Sequence, residues 1–440
     1  MTRGDEGMWV FNNLPLETLK SRHGFTPPAG WADHLRSSAV RFNNGGSGSF
    51  VSADGLIMTN HHVGADTLSK LSTADKDYYR LGYYAQSPEQ EAKAPDLELN
   101  VLVAIEDVTA TVNAKVSPDM DDAAAATARR KASAEIEKAS TEKTGLRSDV
   151  VELYQGGQHH LYTYKKYTDV RLVFAPEFDS AFFGGDPDNF EFPRYCLDVC
   201  FFRAYEDGKP AKVADYLKWS PHGSKEGDLV FVAGYPGRTN PLKTKAEVDE
   251  AVTWAYPRRQ KLYEDYLARL EEVTKDDKEA QIRATSYVRR FGNVLTNTKG
   301  QLEGLVKGGL AAEKERSEKA LREFVAADPQ RQAQWGKALD EIATEIAKHA
   351  EHRERNAQLD EVVMPRLVGA AMTIVRMAEE RAKPDAARDP DFQQRNWSRV
   401  EQALKGLSTN YHRKVDEAVL GLALERVTRA PEAERSPALA

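Results

Sequence analysis

A chain of 440 residues is long enough for two or three domains with proper cores, and 41% hydrophobic with 29% charged residues is ordinary for a globular protein. The formal net charge of −7 and a pI near 5.9 give no reason to expect a nucleic acid or an anionic membrane as partner. No apolar run approaches the ~20 residues a membrane span needs, and the first residues, MTRGDEGMW, contain no apolar h-region, so this chain shows no signal peptide.

In chain order, residues 7–19 form an apolar segment whose Trp9 and Phe11 are expected to pack on a β core. Residues 45–63, GGSGSFVSADGLIMTNHHV, are the most informative stretch. Two β-forming runs, 49–52 and 56–59, flank Asp54-Gly55, which predicts a hairpin whose second strand carries His61 and His62 to its far end. An imidazole at a strand end suits a general base, because its unperturbed pKa lies near neutrality. Residues 67–84 read as a short helical or irregular connection, and 97–111 alternate well enough to be one long strand. Ser117-Pro118 has the form of an N-cap with proline at the first helical position, leading into an alanine-rich helix over 121–138. This makes residues 113–150 a helical excursion from a β domain. Residues 167–174 return to strand with Val170, Leu172 and Phe174 on one face.

Residues 183–205, FGGDPDNFEFPRYCLDVCFFRAY, read as a Gly/Asp/Pro/Asn loop followed by a strand over 197–205. Asp198 stands at the start of that strand, and a lone carboxylate at the mouth of an apolar strand is costly unless something pairs with it. Cys196 and Cys200, the only cysteines, would lie ~13 Å apart along a strand, too far for a disulfide. Both read as small buried apolar residues. Residues 227–237, GDLVFVAGYPG, read as a further strand, and from Thr244 onward charged amphipathic helices take over. Leu262, Tyr266, Leu270 and Val273 share one face, as do Trp335, Leu339, Ile342 and Ile346, and both stripes read as core. Breaks are expected near Pro257, Pro329 and Pro384.

The string from the glycine-serine run through T-N-H-H-V resembles the first-barrel hairpin of chymotrypsin-fold serine peptidases. In that fold the strand ends in the catalytic histidine, here His62, and an aspartate later in the chain, here Asp198, accepts a hydrogen bond from its Nδ1–H. GMWVFNNLP, GGSGSFVSADGLIMTNHHVG, GGDPDNFEFPRY, YLKWSPHGSKEGDLVFVAGYPGRTNP and NTKGQLEGLVKGGLAAEK together resemble family 46 of the serine peptidases, which contains the bacterial dipeptidyl-peptidases 7 and 11.

The resemblance implies a β-plus-α protein, a chymotrypsin-like double β-barrel with a large α-helical domain inserted. It sets a peptidase domain over residues 1–243 and a helical cap over 244–440. It implies catalytic roles for His62 and Asp198, and recognition of the substrate's free α-amino group by Asn189 and Phe190, where many members carry tryptophan at the second position. An amide oxygen beside an aromatic ring is reasonable chemistry for an ammonium. It further implies peptide substrates with a free N-terminus, no cofactor and no metal, a homodimer, and a periplasmic or cell-surface location.

In this fold the nucleophile lies in a G-N-S-G or G-D-S-G turn. None of the serines after Asp198, namely Ser220, Ser224, Ser286, Ser317, Ser398, Ser408 and Ser436, sits in one. The sequence is therefore expected to hold an incomplete second barrel without the nucleophile and to be inactive as this chain alone. Three other readings compete: a peptide-binding pseudo-peptidase, a trypsin-like endopeptidase, and a metal hydrolase using His61, His62, His159 and His160. The last lacks any H-E-x-x-H or other ligand spacing.

Overall fold

The computed structural model of the chain describes residues 7–43, 45–73, 75–182, 189, 195–236, 242–407 and 411–439, without the side chains of 386, 390, 395, 398 and 399. They fall into two compact units, one within Met1–Phe183 and Tyr195–Pro241, the other within Gly184–Arg194 and Leu242–Ala440.

The first unit is built on strands β1 (Ala39–Phe42), β2 (Ser47–Phe50), β3 (Leu56–Thr59), β4 (Tyr83–Tyr84), β5 (Ala92–Lys93), β6 (Leu99–Asp107), β7 (Arg147–Leu153), β8 (Gln158–Tyr167), β9 (Asp169–Ala175), β10 (Cys200–Glu206) and β11 (Lys209–Pro210). They form one sheet in the order β4-β9-β10-β3-β2-β1-β6-β8-β7, with β11 beside β10 and β5 beside β9. The described pairings are antiparallel.

The predicted hairpin is β2–β3, in the register Gly48↔Thr59 and Phe50↔Ile57. Its turn is longer than a two-residue loop. Ser52 Oγ accepts from the N–H groups of Asp54 and Leu56, and Gly55 adopts φ +68° at the corner, where a side chain would be strained. β10 lies between β3 and β9, which seals Phe202 and Ala204 into a core with Ile57, Leu99, Val170 and Leu172. The helix His61–Leu71 adds Val63 and Leu68 to that core.

Several expectations change. The helix begins at His61, so the histidines stand in a first helical turn and not on a strand end. Trp9 is exposed and Phe11 half-buried. β6 stops at Asp107, and Thr109–Asn113 is helical. The cap of the alanine-rich helix Asp122–Thr144 is Asp121, which accepts from Ala124 N–H at 2.7 Å, whereas the Ser117 hydroxyl turns to Asp119. Cys200 is buried but Cys196 is exposed, because the chain joins the sheet only at residue 200. Residues 227–236 contain no strand: no described segment pairs with them, Val230 and Val232 are exposed, and Phe231 packs instead on Phe25 and Trp31 at ring separations of 5.3 and 4.8 Å.

The second unit is helical. Thr244 opens it with a capping box, its side chain accepting from Glu247 N–H while the Glu247 carboxylate accepts from Thr244 N–H at 2.8 Å. Its core joins the helices Tyr256–Thr274, Lys278–Lys307 and Arg413–Arg429 through Leu262, Tyr266, Leu270, Phe291, Val419 and Leu422. Pro257 does not break the helical run. The turn Ala251–Ala255 before it widens to a π-helix, which moves the carbonyls that proline cannot bond and would otherwise strike. Pro329 opens a helix capped by Asp328, and Pro384 follows the end of the helix Arg366–Arg381, as expected. The stripe of Trp335, Leu339, Ile342 and Ile346 is not core: Trp335 and Ile342 are exposed, Leu339 and Ile346 are only half-buried, and the helix Ala338–Ala350 has no buried residue.

Candidate active site

The last rung shared by β3 and β10 is Thr59↔Cys200. Beyond it the two strands diverge, one turning into the helix at His61 and the other reaching back to Asp198. Asn60 occupies the N-cap position with extended backbone, φ −80° and ψ 151°, yet its side chain does not cap the helix. Its amide donates to Asp198, to Oδ2 at 3.0 Å and to the carbonyl oxygen at 3.2 Å. The capping task passes to Asp198, whose Oδ1 accepts from the backbone N–H of His62 at 3.1 Å. A carboxylate from a distant part of the chain thus serves a helix N-terminus, where negative charge is favoured.

The other carboxylate oxygen meets the imidazole. His62 Nδ1 lies 2.8 Å from Asp198 Oδ2. Since a carboxylate only accepts, Nδ1 carries the hydrogen and donates, which leaves the lone pair on Nε2. The Asp198 side chain is 11% exposed and that of His62 60%, so the carboxylate forms the floor and the imidazole the open edge. Burial by itself pushes the Asp198 carboxyl up, but the hydrogen bonds from the His62 ring, the His62 backbone and Asn60 outweigh it and hold the group below the ordinary carboxylate range. The same bond to Asp198 raises His62 above an ordinary histidine, against the opposing effect of burial.

Gly64, one turn into the helix, makes the approach feasible: a Cβ there would stand 2.7 Å from Cys200 Sγ and 3.3 Å from its Cβ. Burial holds the Cys200 thiol well above its usual pKa, so it packs as an apolar group.

His61 is 1% exposed, and neither of its ring nitrogens has a hydrogen-bond partner among the described residues. Burial lowers its pKa and keeps it neutral. His159 and His160 are consecutive and buried on β8, facing opposite sides of it. Among the described residues no cluster of three or more His, Cys, Asp or Glu side chains is arranged to hold a metal ion. No serine hydroxyl is bonded to His62 among them either.

Asn189 belongs to the second unit and is 3% exposed, its amide donating to Asn293 Oδ1 at 2.7 Å on the helix Lys278–Lys307. Phe190 and the rest of the GGDPDNFEFPR run lie outside the described residues. Asn60, Gly64 and Asn293 were not singled out in the sequence. Asn60 left one signal, an asparagine at a strand-to-helix junction, which reads as a simple cap.

The family model for peptidase S46 matches residues 4–440. A dipeptidyl-peptidase 7 from Capnocytophaga gingivalis is 29% identical over 364 residues, 79% of this chain and 51% of the relative. An Asp/Glu-specific dipeptidyl-peptidase from Shewanella putrefaciens is 28% identical over 435 residues, 95% of this chain and 59% of the relative. The chain thus spans about half the length of the curated relatives it matches. Among solved structures, Porphyromonas endodontalis DPP11 in complex with the dipeptide Arg-Glu superimposes with a TM-score of 0.71 at 25% identity, covering 97% of this chain and 64% of that one. This supports a mixed fold with a large antiparallel sheet and many helices.

Proposed function

The chain belongs to the peptidase S46 family, and from that premise we propose that it carries the base-bearing part of a serine-type dipeptidyl aminopeptidase, which releases dipeptides from the free N-terminus of peptides. The observation that carries the reading is the Nδ1–H of His62 donating to Asp198 at 2.8 Å on a ring whose side chain is 60% exposed. That tautomer lets Nε2 take a proton from a serine hydroxyl and return it to the leaving amine, while Asp198 stabilises the imidazolium formed between the two steps. Asn189 is the contact for the substrate's ammonium in this proposal, through its amide oxygen, since its N–H already donates to Asn293. The dimeric state and the periplasmic or surface location belong to the same proposal and rest on family membership.

The nucleophile is proposed to lie outside this chain, because none of its serines after Asp198 sits in a G-N-S-G or G-D-S-G turn and no described serine hydroxyl is bonded to His62. The 440-residue chain alone is therefore expected to show no turnover of a free-amine dipeptidyl chromogenic substrate, and any longer product of the same gene that supplies such a turn to cleave it. In the latter, the parent should leave an N-acetylated analogue uncleaved, and His62→Ala should lower turnover of the free-amine substrate by ~10⁴–10⁶. Turnover of the acetylated analogue would refute the aminopeptidase reading, and turnover by the isolated chain that His62→Ala abolishes would place the nucleophile within it.

A further inference from the structure

His62 and Asp198 are 136 positions apart in the chain, and their bond lies beyond the last rung of the β3–β10 ladder. An exposed pair of that kind ordinarily loses much of its value to side-chain freedom. Both of its members, however, are preceded by a residue tied to the same four-residue helix, Phe178–Ala181.

On one side, the buried ring of His61 meets the ring of Phe178 edge to face, with centroids 6.4 Å apart at 66°. Since the His61 nitrogens have no hydrogen-bond partner among the described residues, packing is what holds this ring. On the other side, Leu197 N–H donates to Ser180 O at 2.9 Å, while Val199 N–H turns back to Leu197 O as the chain leaves the sheet. Phe178 also lies 5.1 Å from the ring of Tyr79, whose N–H donates to Ser72 Oγ at 2.9 Å, just past the end of the helix His61–Leu71. The same phenylalanine stacks on Phe182 at 4.7 Å and 15°.

The short helix therefore touches the helix of His62 at its first residue and, through Tyr79, near its last, and it touches the approach to Asp198 as well. Residues 61 and 197 are each one Cα–Cα step, ~3.8 Å, from the paired residues, so little slack separates the contact from the bond it serves.

We propose that the helix Phe178–Ala181 is a brace that fixes the spacing of His62 and Asp198, with Phe178 as its positioning residue acting through His61 and through the Ser180–Leu197 bond. The proposal rests on the reading of His62 and Asp198 as base and orienter, and it adds a residue that touches neither substrate nor the reacting atoms.

The test uses the 440-residue chain with isotopically labelled histidine, following the His62 ring by NMR as pH is varied. Among the described residues, the titratable groups that face His62 are Asp198 and His61. Asp198→Asn sets the scale, since it should shift the His62 midpoint down by the whole contribution of the pair. Phe178→Ala is expected to produce half or more of that downward shift, as is Phe178→Leu, which keeps apolar volume and loses the ring. Phe178→Tyr, which keeps the ring, should restore the parent value, and Phe25→Ala, in a remote aromatic cluster, should leave it unchanged.

Folded Phe178→Leu with the parent midpoint, beside a shifted Asp198→Asn, overturns the brace and leaves the pair intact. An Asp198→Asn midpoint identical to the parent's overturns the pair and the brace together.

Discussion

Phe202 on β10 and Ile374 in the helix Arg366–Arg381 are both apolar residues on regular apolar faces, yet one is fully buried and the other is 56% exposed. The contrast runs through the two units. In the first, strand faces bearing Ile57, Val170, Leu172 and Phe202 close into a core because β10 has neighbours on both sides and a helix above it. In the second, the helix Tyr256–Thr274 buries Leu262, Tyr266 and Leu270 against two other helices, whereas residues 367, 374 and 375, spaced just as regularly, stay exposed. Periodicity identifies residues that share a face; only a neighbouring element makes that face a core.

The contrast is tested most strongly by truncation. Phe202→Ala is expected to cost about 3–5 kcal/mol in denaturant unfolding of the first unit, from lost burial plus the cavity left behind. A cost under ~1 kcal/mol would mean that the sheet core is looser than its burial implies.

Gly64→Ala probes closeness in place of volume. The added methyl would meet Cys200 Sγ at 2.7 Å, so an overpacking cost of about 1–3 kcal/mol is expected, and on the proposed reading turnover should fall because the His62 turn is pushed from β10. Gly64→Ala combined with Cys200→Ala should recover much of the loss, which a helix-propensity effect would not.

A third expectation concerns pH. His62 is raised above its usual 6.5 by Asp198, so its contribution is fully present below about pH 6.5 and is lost as pH rises through the folded-state value. Asp198 is lowered from 3.8, so its contribution is present above about pH 4 and is lost as pH falls through its own folded-state value. The stability difference between the parent and Asp198→Asn should therefore be greatest between about pH 4 and 6.5 and shrink above that range, as read from denaturation midpoints across pH. On the proposed reading, the acidic limb of the pH–rate profile should lie above 6.5 and move down in any active variant with a weakened pair.

The smallest effect belongs to the exposed stripe. Ile374→Ser should change the stability of this chain by no more than ~0.5 kcal/mol, since the side chain already faces solvent. A loss above ~1.5 kcal/mol would show that the stripe is covered in solution, and light scattering would reveal whether a second copy covers it.

The sequence made the hairpin readable through Asp54-Gly55 and its flanking runs, and it marked the change to helices at Thr244, whose capping box needs only residues 244 and 247. It also drew attention to Asp198, a lone charge before an apolar strand, and the structure brings that carboxylate to His62. Other expectations failed for want of a partner. Residues 227–236 have strand-forming composition but no described neighbour to pair with. Pro257 looked like a stop and is absorbed by a widened turn. Cys196 looked like a core residue, but the strand begins too late to carry it inside.

Local rules act over a few positions, and what they govern was settled by the sequence itself: turn chemistry, helix caps, and the spacing of apolar residues along each element. Tertiary structure alone decided that Asn60 gives its amide to a distant carboxylate instead of capping its own helix, and that Asp198 performs that capping across 136 positions of chain. It decided equally which apolar stripe is covered and which is left to solvent. The physical reason is common to both: a hydrogen bond or a buried contact depends on the position of a second group, and that position is fixed by the packing of whole elements.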